Sequence, residues 1–186
     1  VKQLFIKIYR AFRRVKYAFF STNKNIEGKY VAHQPVLCNG NGKLCFGSNV
    51  NFGVLNSPLF YNSYAYLESR NKNAAISFGN NVHINNAFSA ISETKISIGN
   101  NVLIGYNCQI TDSDFHDLNI NNRQQTDPSP AAVTLGDNVF IGNNVTILKG
   151  VAIGENTVVA NGSVVTKSFP ENVIVGGVPA KILKEL

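Results

Sequence analysis

The chain has 186 residues, 44% of them hydrophobic and only 15% charged, with a formal charge of +6. That length suits one domain with a sizeable core, and the low charge suits a core running the length of the fold. Three cysteines, Cys38, Cys45 and Cys108, fall in no metal-ligand spacing, which argues against a disulfide framework and for a reducing cytoplasm. No stretch is long and apolar enough to span a bilayer, and the first residues lack the cleavage site of a signal peptide. Met is absent, so the chain is expected to lack its initiator.

Residues 1–23 carry Lys2, Lys7, Arg10, Arg13, Arg14 and Lys16 without an acid, whereas the remaining 11 basic residues balance 11 acidic ones. The basic character belongs to that segment, and the main domain shows no electrostatic footprint for nucleic acid. Val1, Leu4, Phe5, Ile8, Phe12, Val15 and Phe19 recur at helical spacing, with the basic residues mostly off that stripe. This predicts an amphipathic helix. It either caps the domain or a subunit contact, or lies on an anionic membrane surface.

Residues 24–170 are built on a repeat. Leu135, Ile141, Ile147, Ile153, Val159 and Val165 follow one another every six residues. Ile98, Ile104 and Ile110 do the same, as do Phe78, Ile84 and Ala90, with Phe46 and Phe52 as an earlier pair. Near-copies of one turn follow: GNNV at 79–82, 99–102 and 142–145, and GDNV at 136–139. The 26 Asn and 15 Gly tolerate left-handed backbone, so tight turns separate short extended runs. Each run turns an apolar side chain inward, and stacked coils cover one another's apolar faces. The prediction is a parallel β solenoid with three short strands per turn; a β-sandwich would show irregular strands and hairpin signals instead. Residues 171–186 read as a C-terminal tail or short helix.

The phase breaks between Ile110 and Leu135, where a polar, proline-containing stretch reads as a loop extruded at 111–132. Loops on rigid scaffolds are where function concentrates. This one holds DSDFHD, residues 112–117, with His116 among Asp112, Asp114 and Asp117. A histidine can take a proton near neutral pH, and a carboxylate can fix its tautomer. Cys108, at a small-residue position of its repeat, reads as a buried core thiol.

From about residue 44 onward the chain resembles the hexapeptide-repeat acyltransferases, on the repeats and on the closing GVPAK at 177–181. It is most similar to the sugar and surface-polysaccharide O-acetyltransferases, with the galactoside and maltose acetyltransferases. The resemblance implies an all-β, left-handed parallel β-helix and a homotrimer with active sites between subunits. It also implies acetyl-CoA as co-substrate, no metal, and a sugar or glycan acceptor. His116 would be the general base, with Asp114 the preferred carboxylate for orienting its ring. Asn85 and Glu93 would contact the acceptor, with His83 nearby. Gly142, Ala160, Thr166, Lys167, Lys181 and Lys184 would hold the CoA, and Pro179 would shape the chain past its pantetheine arm. Three rivals carry different expectations: an N-acyltransferase of a nucleotide-linked amino sugar, a hydratase similar to the γ-class carbonic anhydrases, and a non-catalytic scaffold. The hydratase needs a second histidine shortly after His116, and residues 117–132 contain none.

Overall fold

The computed structural model describes all 186 residues. After the helix Lys2–Phe20 the chain winds as a triangular prism of three parallel sheets. The first sheet stacks Ile26–Glu27, Lys43–Phe46, Ala75–Phe78, Lys95–Ile98, Val133–Leu135 and Ala152–Ile153. The second stacks Tyr30–Ala32, Val50–Phe52, His83–Ile84, Leu103–Ile104, Phe140–Ile141, Val158–Val159 and Val173–Gly177, closed by Ala180–Glu185. The third stacks Val36–Gly40, Ala65–Ser69, Ser89–Ser92, Gln109–Thr111, Thr146–Ile147 and Val164–Val165. Successive strands visit the three sheets in turn, so each sheet pairs residues one full coil apart, such as Ile98 with Leu135 and Ile141 with Val159.

The repeat's apolar starters point inward and merge into one continuous cluster of 34 buried residues. The early coils fill it with rings. Phe46 stacks on Phe78 at 5.3 Å, and Phe52 meets Phe78 edge-on at 5.6 Å. The later coils use Ile and Val, which fit a narrow prism in few rotamers.

The corners explain the asparagines. Asn49, Asn81, Asn101, Asn138, Asn156 and Asn172 all sit at φ between 55° and 59°. This left-handed region is costly for most L-residues and easiest for Gly and Asn. Asn also bonds its stacked equivalent: Asn49 Nδ2 donates to Asn81 Oδ1 at 3.0 Å, Asn138 to Asn156 at 2.9 Å and Asn156 to Asn172 at 2.8 Å. The amide ladder ties successive coils along an exposed corner.

The C-terminal segment, expected as a tail or short helix, contains no helix and forms two strands. Val173–Gly177 continues the second sheet, and Ala180–Glu185 turns back antiparallel against it. The edge of that sheet offers unpaired backbone groups, which a returning strand satisfies and a helix would leave open.

Two insertions interrupt the prism. Residues 53–64 leave the corner between the second and third sheets, and residues 112–132 leave the corner between the third and first. The N-terminal helix docks on the first insertion. Arg13 Nη1 donates to Phe60 O at 2.9 Å and its other amine to Ser63 O, while the Tyr17 and Tyr64 rings lie 4.6 Å apart.

Candidate functional site

The second insertion carries His116 to an exposed position. Its Nδ1 lies 2.9 Å from the backbone carbonyl of Arg123. A carbonyl only accepts, so Nδ1 is the donor in this contact, and in the neutral ring the lone pair then belongs to Nε2. Phe115, immediately before it, has φ 61°. A bulky side chain there costs about 1–3 kcal/mol, a strain that clusters at functional sites and turns the chain sharply. The strain is met by three contacts: Phe115 N–H donates to Ser113 Oγ at 2.9 Å, Asp114 N–H to Asp127 Oδ2 at 2.9 Å, and the Arg70 guanidinium sits 4.3 Å from the Phe115 ring centre.

The loop's base is a lattice of carboxylates. Asp112, fully buried, accepts from Ser92 Oγ at 2.6 Å and from the Glu93 and Thr94 amides at 2.7 and 2.9 Å. Asp127, also buried, accepts from the Asp114 and Ser129 amides, and Lys149 Nζ reaches it at 2.7 Å. Burial pushes the Asp127 carboxyl up, but these bonds outweigh it and hold the group well below the usual carboxylate range. Lys149 bridges to Asp114 at 2.7 Å as well, and the two carboxylates, Asp114 foremost, raise its ammonium above the ordinary lysine value.

One expectation is corrected here. Asp114 does not orient the histidine; its carboxylate pairs with Lys149, and the Arg123 carbonyl holds the ring. Glu93, expected at the acceptor, is engaged with the loop: its carboxylate accepts from Ser113 Oγ at 2.5 Å and Thr126 Oγ1 at 3.0 Å and pairs with Arg70 at 3.5 Å.

A second constellation lies on a different corner. Asn85, Gly105, Gly142 and Ala160 each follow a second-sheet strand and stack one per coil. The Asn85 amide donates to Ile104 O, that of Gly105 to Ile141 O, that of Gly142 to Val159 O and that of Ala160 to Val175 O, each at 2.8 Å. At about 4.8 Å per coil, Asn85 and Gly142 are about 10 Å apart along this edge. A Cβ on Gly142 would come within 2.4 Å of Asn161 Oδ1, so only Gly fits where the coils approach. A shallow cleft of about 240 Å³ opens on this column, lined by Val54, His83, Asn85, Leu103, Phe140 and Asn143 among others.

Lys181 pairs opposite Gly176, level with Ala160, and therefore sits at the end of the same column. Lys184 lies opposite Ile174, further back along the strand. Thr166 and Lys167 leave the third sheet and share their corner with the histidine loop instead. Lys167, Lys181 and Lys184 are exposed and form no ion pair with any acid. Cys108 is 2% exposed, its Sγ 3.0 Å from Gly142 O, and burial pushes its thiol up to about 11, so it stays protonated inside the prism.

The sequence reading missed Arg70, Asp127, Lys149 and the Arg123 carbonyl. Lys149 had a signal, as a charge in the turn of an otherwise regular repeat. Asp127 had one too, before Pro in the loop-ending DPS, where Asp bonds its own chain two residues on. A backbone acceptor such as Arg123 O leaves no trace in residue type.

Comparison with known proteins places this architecture. The family pattern described as "Bacterial transferase hexapeptide (six repeats)" matches residues 132–167, and "Hexapeptide repeat of succinyl-transferase" matches 95–111. WbbJ of Escherichia coli, a candidate lipopolysaccharide biosynthesis O-acetyl transferase, is 31% identical over 159 residues, 81% of this chain and 76% of that one. The Escherichia coli galactoside O-acetyltransferase is 37% identical over 119 residues, 59% of this chain; this chain spans only 57% of that enzyme's length. Among solved structures, the Vibrio cholerae hexapeptide-repeat acetyltransferase VCA0836 in complex with acetyl coenzyme A aligns at TM-score 0.57 and 26% identity, over 95% of this chain and 77% of that one. The prism is a left-handed parallel β-helix. The chain belongs to the hexapeptide-repeat acetyltransferase family.

Proposed function

We propose that this chain is an acetyl-CoA-dependent O-acetyltransferase acting on a sugar hydroxyl, within surface-polysaccharide biosynthesis in the cytoplasm. The observation that carries the reading is His116: its Nδ1–H is tied to Arg123 O, and the residue is exposed on the inserted loop. The likeness to WbbJ and to the galactoside enzyme supports the sugar acceptor and the biosynthetic setting. The residues present suit the co-substrate. Lys181 offers an unpaired cation at the end of the Asn85–Ala160 column, and Lys184 and Lys167 are further exposed cations suited to phosphate. Acetyl-CoA supplies the acyl group as a thioester.

His116 Nε2 takes the proton of the acceptor hydroxyl as its oxygen attacks the thioester carbonyl. The imidazolium is stabilised by the Nδ1–H bond to Arg123 O, and returns the proton to the departing thiolate. No acyl-enzyme is needed, consistent with Cys108 being buried and protonated.

The histidine loop and the Asn85–Ala160 column occupy different corners of one prism. A homotrimer, in which one subunit's loop faces its neighbour's column, joins them into a shared site. Mixing His116→Ala with Asn85→Ala subunits tests this: a shared site restores part of the activity that each variant lacks alone. The reaction itself is tested by thioester cleavage across a panel of hydroxyl and amino sugars. Cleavage dependent on a hydroxyl sugar supports the reading. Cleavage only with nucleotide-linked amino sugars would move it to N-acylation, and cleavage unchanged in His116→Ala would remove the mechanism.

A further inference from the structure

The N-terminal helix docks with the wrong face for a protein interior. At about 100° per residue, Leu4, Phe5, Ile8, Phe12, Val15 and Phe19 fall within a sector about 100° wide. These side chains are 59–82% exposed. The face turned to the domain is Ile6, Arg10, Arg13 and Tyr17, whose sector lies roughly 160° from the centre of the apolar one. Arg13, the helix's single buried residue, is held by two backbone carbonyls, and Arg10 lies 5.2 Å from the Phe60 ring centre. The helix is thus fastened by cationic and aromatic contacts, and its hydrophobic ridge points away from the protein.

The charge around the ridge identifies what covers it. Lys16 and Lys2 border one edge and Lys7 the other, while Arg14 reaches back to Ala32 O at 3.2 Å, and there is no acid anywhere in residues 1–23. Two such ridges packed face to face would bring like charges together with no carboxylate to pair them. An anionic bilayer satisfies both features: the ridge enters the acyl boundary while the flanking lysines meet headgroup phosphates. The helix is not long and apolar enough to cross a membrane, so it would lie in the plane of the surface. We infer that residues 2–20 form a membrane-docking helix that seats the β-helix on an anionic lipid surface. The inference is independent of the acyl-transfer reading.

The test is flotation of the full-length chain with vesicles of phosphatidylcholine mixed with phosphatidylglycerol, against vesicles of phosphatidylcholine alone. The chain is expected to float with the first and weakly with the second, with binding falling as salt rises. Phe12→Ser with Phe19→Ser should lower partitioning at least tenfold. Replacing Lys2, Lys7 and Lys16 by Gln should lower it about fivefold per lysine. Because these side chains lie off the docked face, thermal melting and thioester cleavage in solution should match the parent protein, which separates loss of docking from loss of fold. Failure of the parent to float with anionic vesicles overturns the inference. So does a parent that stays with the aqueous phase while Phe12→Ser lowers its molar mass in light scattering, since the ridge would then be covered by a second copy.

Discussion

The two insertions leave the same prism at neighbouring corners and are secured by opposite chemistry. Residues 53–64 are held by neutral amides and by arginine on carbonyls. Asn86 Nδ2 donates to the carbonyls of Val54, Ser57 and Pro58, and Gln34 Nε2 donates to Leu59 O. Residues 112–132 are held largely by carboxylates: Asp112, Asp127 and Glu93 accept side-chain and amide bonds at the loop's base, and Lys149 supplies the counter-charge. The first arrangement does not titrate in ordinary buffers and supports a docked helix. The second holds a strained Phe115 and an exposed His116, and its Asp127 and Lys149 titrate only far from neutrality. A loop that must keep a proton-transferring group in place is better served by charged anchors, which make shorter, stronger bonds than neutral ones.

This contrast can be broken in graded steps. The largest effect is expected from His116→Ala, which should lower turnover about a thousandfold in a thioester-cleavage assay with melting unchanged. Next comes Asp127→Ala, which strips partners from the Asp114 and Ser129 amides and from Lys149. It should cost about 3 kcal/mol in denaturant unfolding, at the low end for a broken buried pair because Lys149 keeps Asp114. It should also lower activity, since the turn ahead of His116 loses its tie. Asn86→Ala should cost about 2 kcal/mol through three carbonyls left unpaired, loosening the first insertion while leaving turnover largely intact.

Acid should separate the loops without mutation. The folded-state pKa of Asp127 is lowered, so its contribution is present above the unfolded carboxylate value near 4 and is lost as pH falls through the folded value. Lys149 is raised, so its share is present below the unfolded lysine value near 10.4 and fades as pH rises through the folded one. Limited proteolysis should therefore cut within 112–132 increasingly below about pH 4, while cleavage within 53–64 stays constant over the same range. Equal sensitivity of both loops would erase the distinction.

Much of this was readable in advance. The six-residue phase located the strands, the inward residues and the extruded loop, because a stacked coil repeats its geometry and so its residue types. The asparagines announced the corners, though not that they form a ladder of side-chain bonds. The helix and its apolar stripe were legible as well. Its orientation was not, because a stripe says which residues share a face and not which face meets the protein. At the loop, His116 stood out by type and place. The choice of Asp114 as its partner failed because adjacent aspartates look alike in sequence, and only folding decided that one would meet Lys149.

The sequence by itself therefore determined a solenoid of three strands per turn, an interruption bearing a histidine, and a basic amphipathic helix. These depend on period and residue type, which are local. The tertiary structure alone decided four matters: that a backbone carbonyl meets the ring of His116, that Lys149 and Asp127 brace its loop, that Asn85, Gly142, Ala160 and Lys181 line another corner while Thr166 and Lys167 share the loop's own, and that the helix turns its apolar ridge outward. Each depends on which chain segments meet in space, and contacts between distant segments leave no periodic mark.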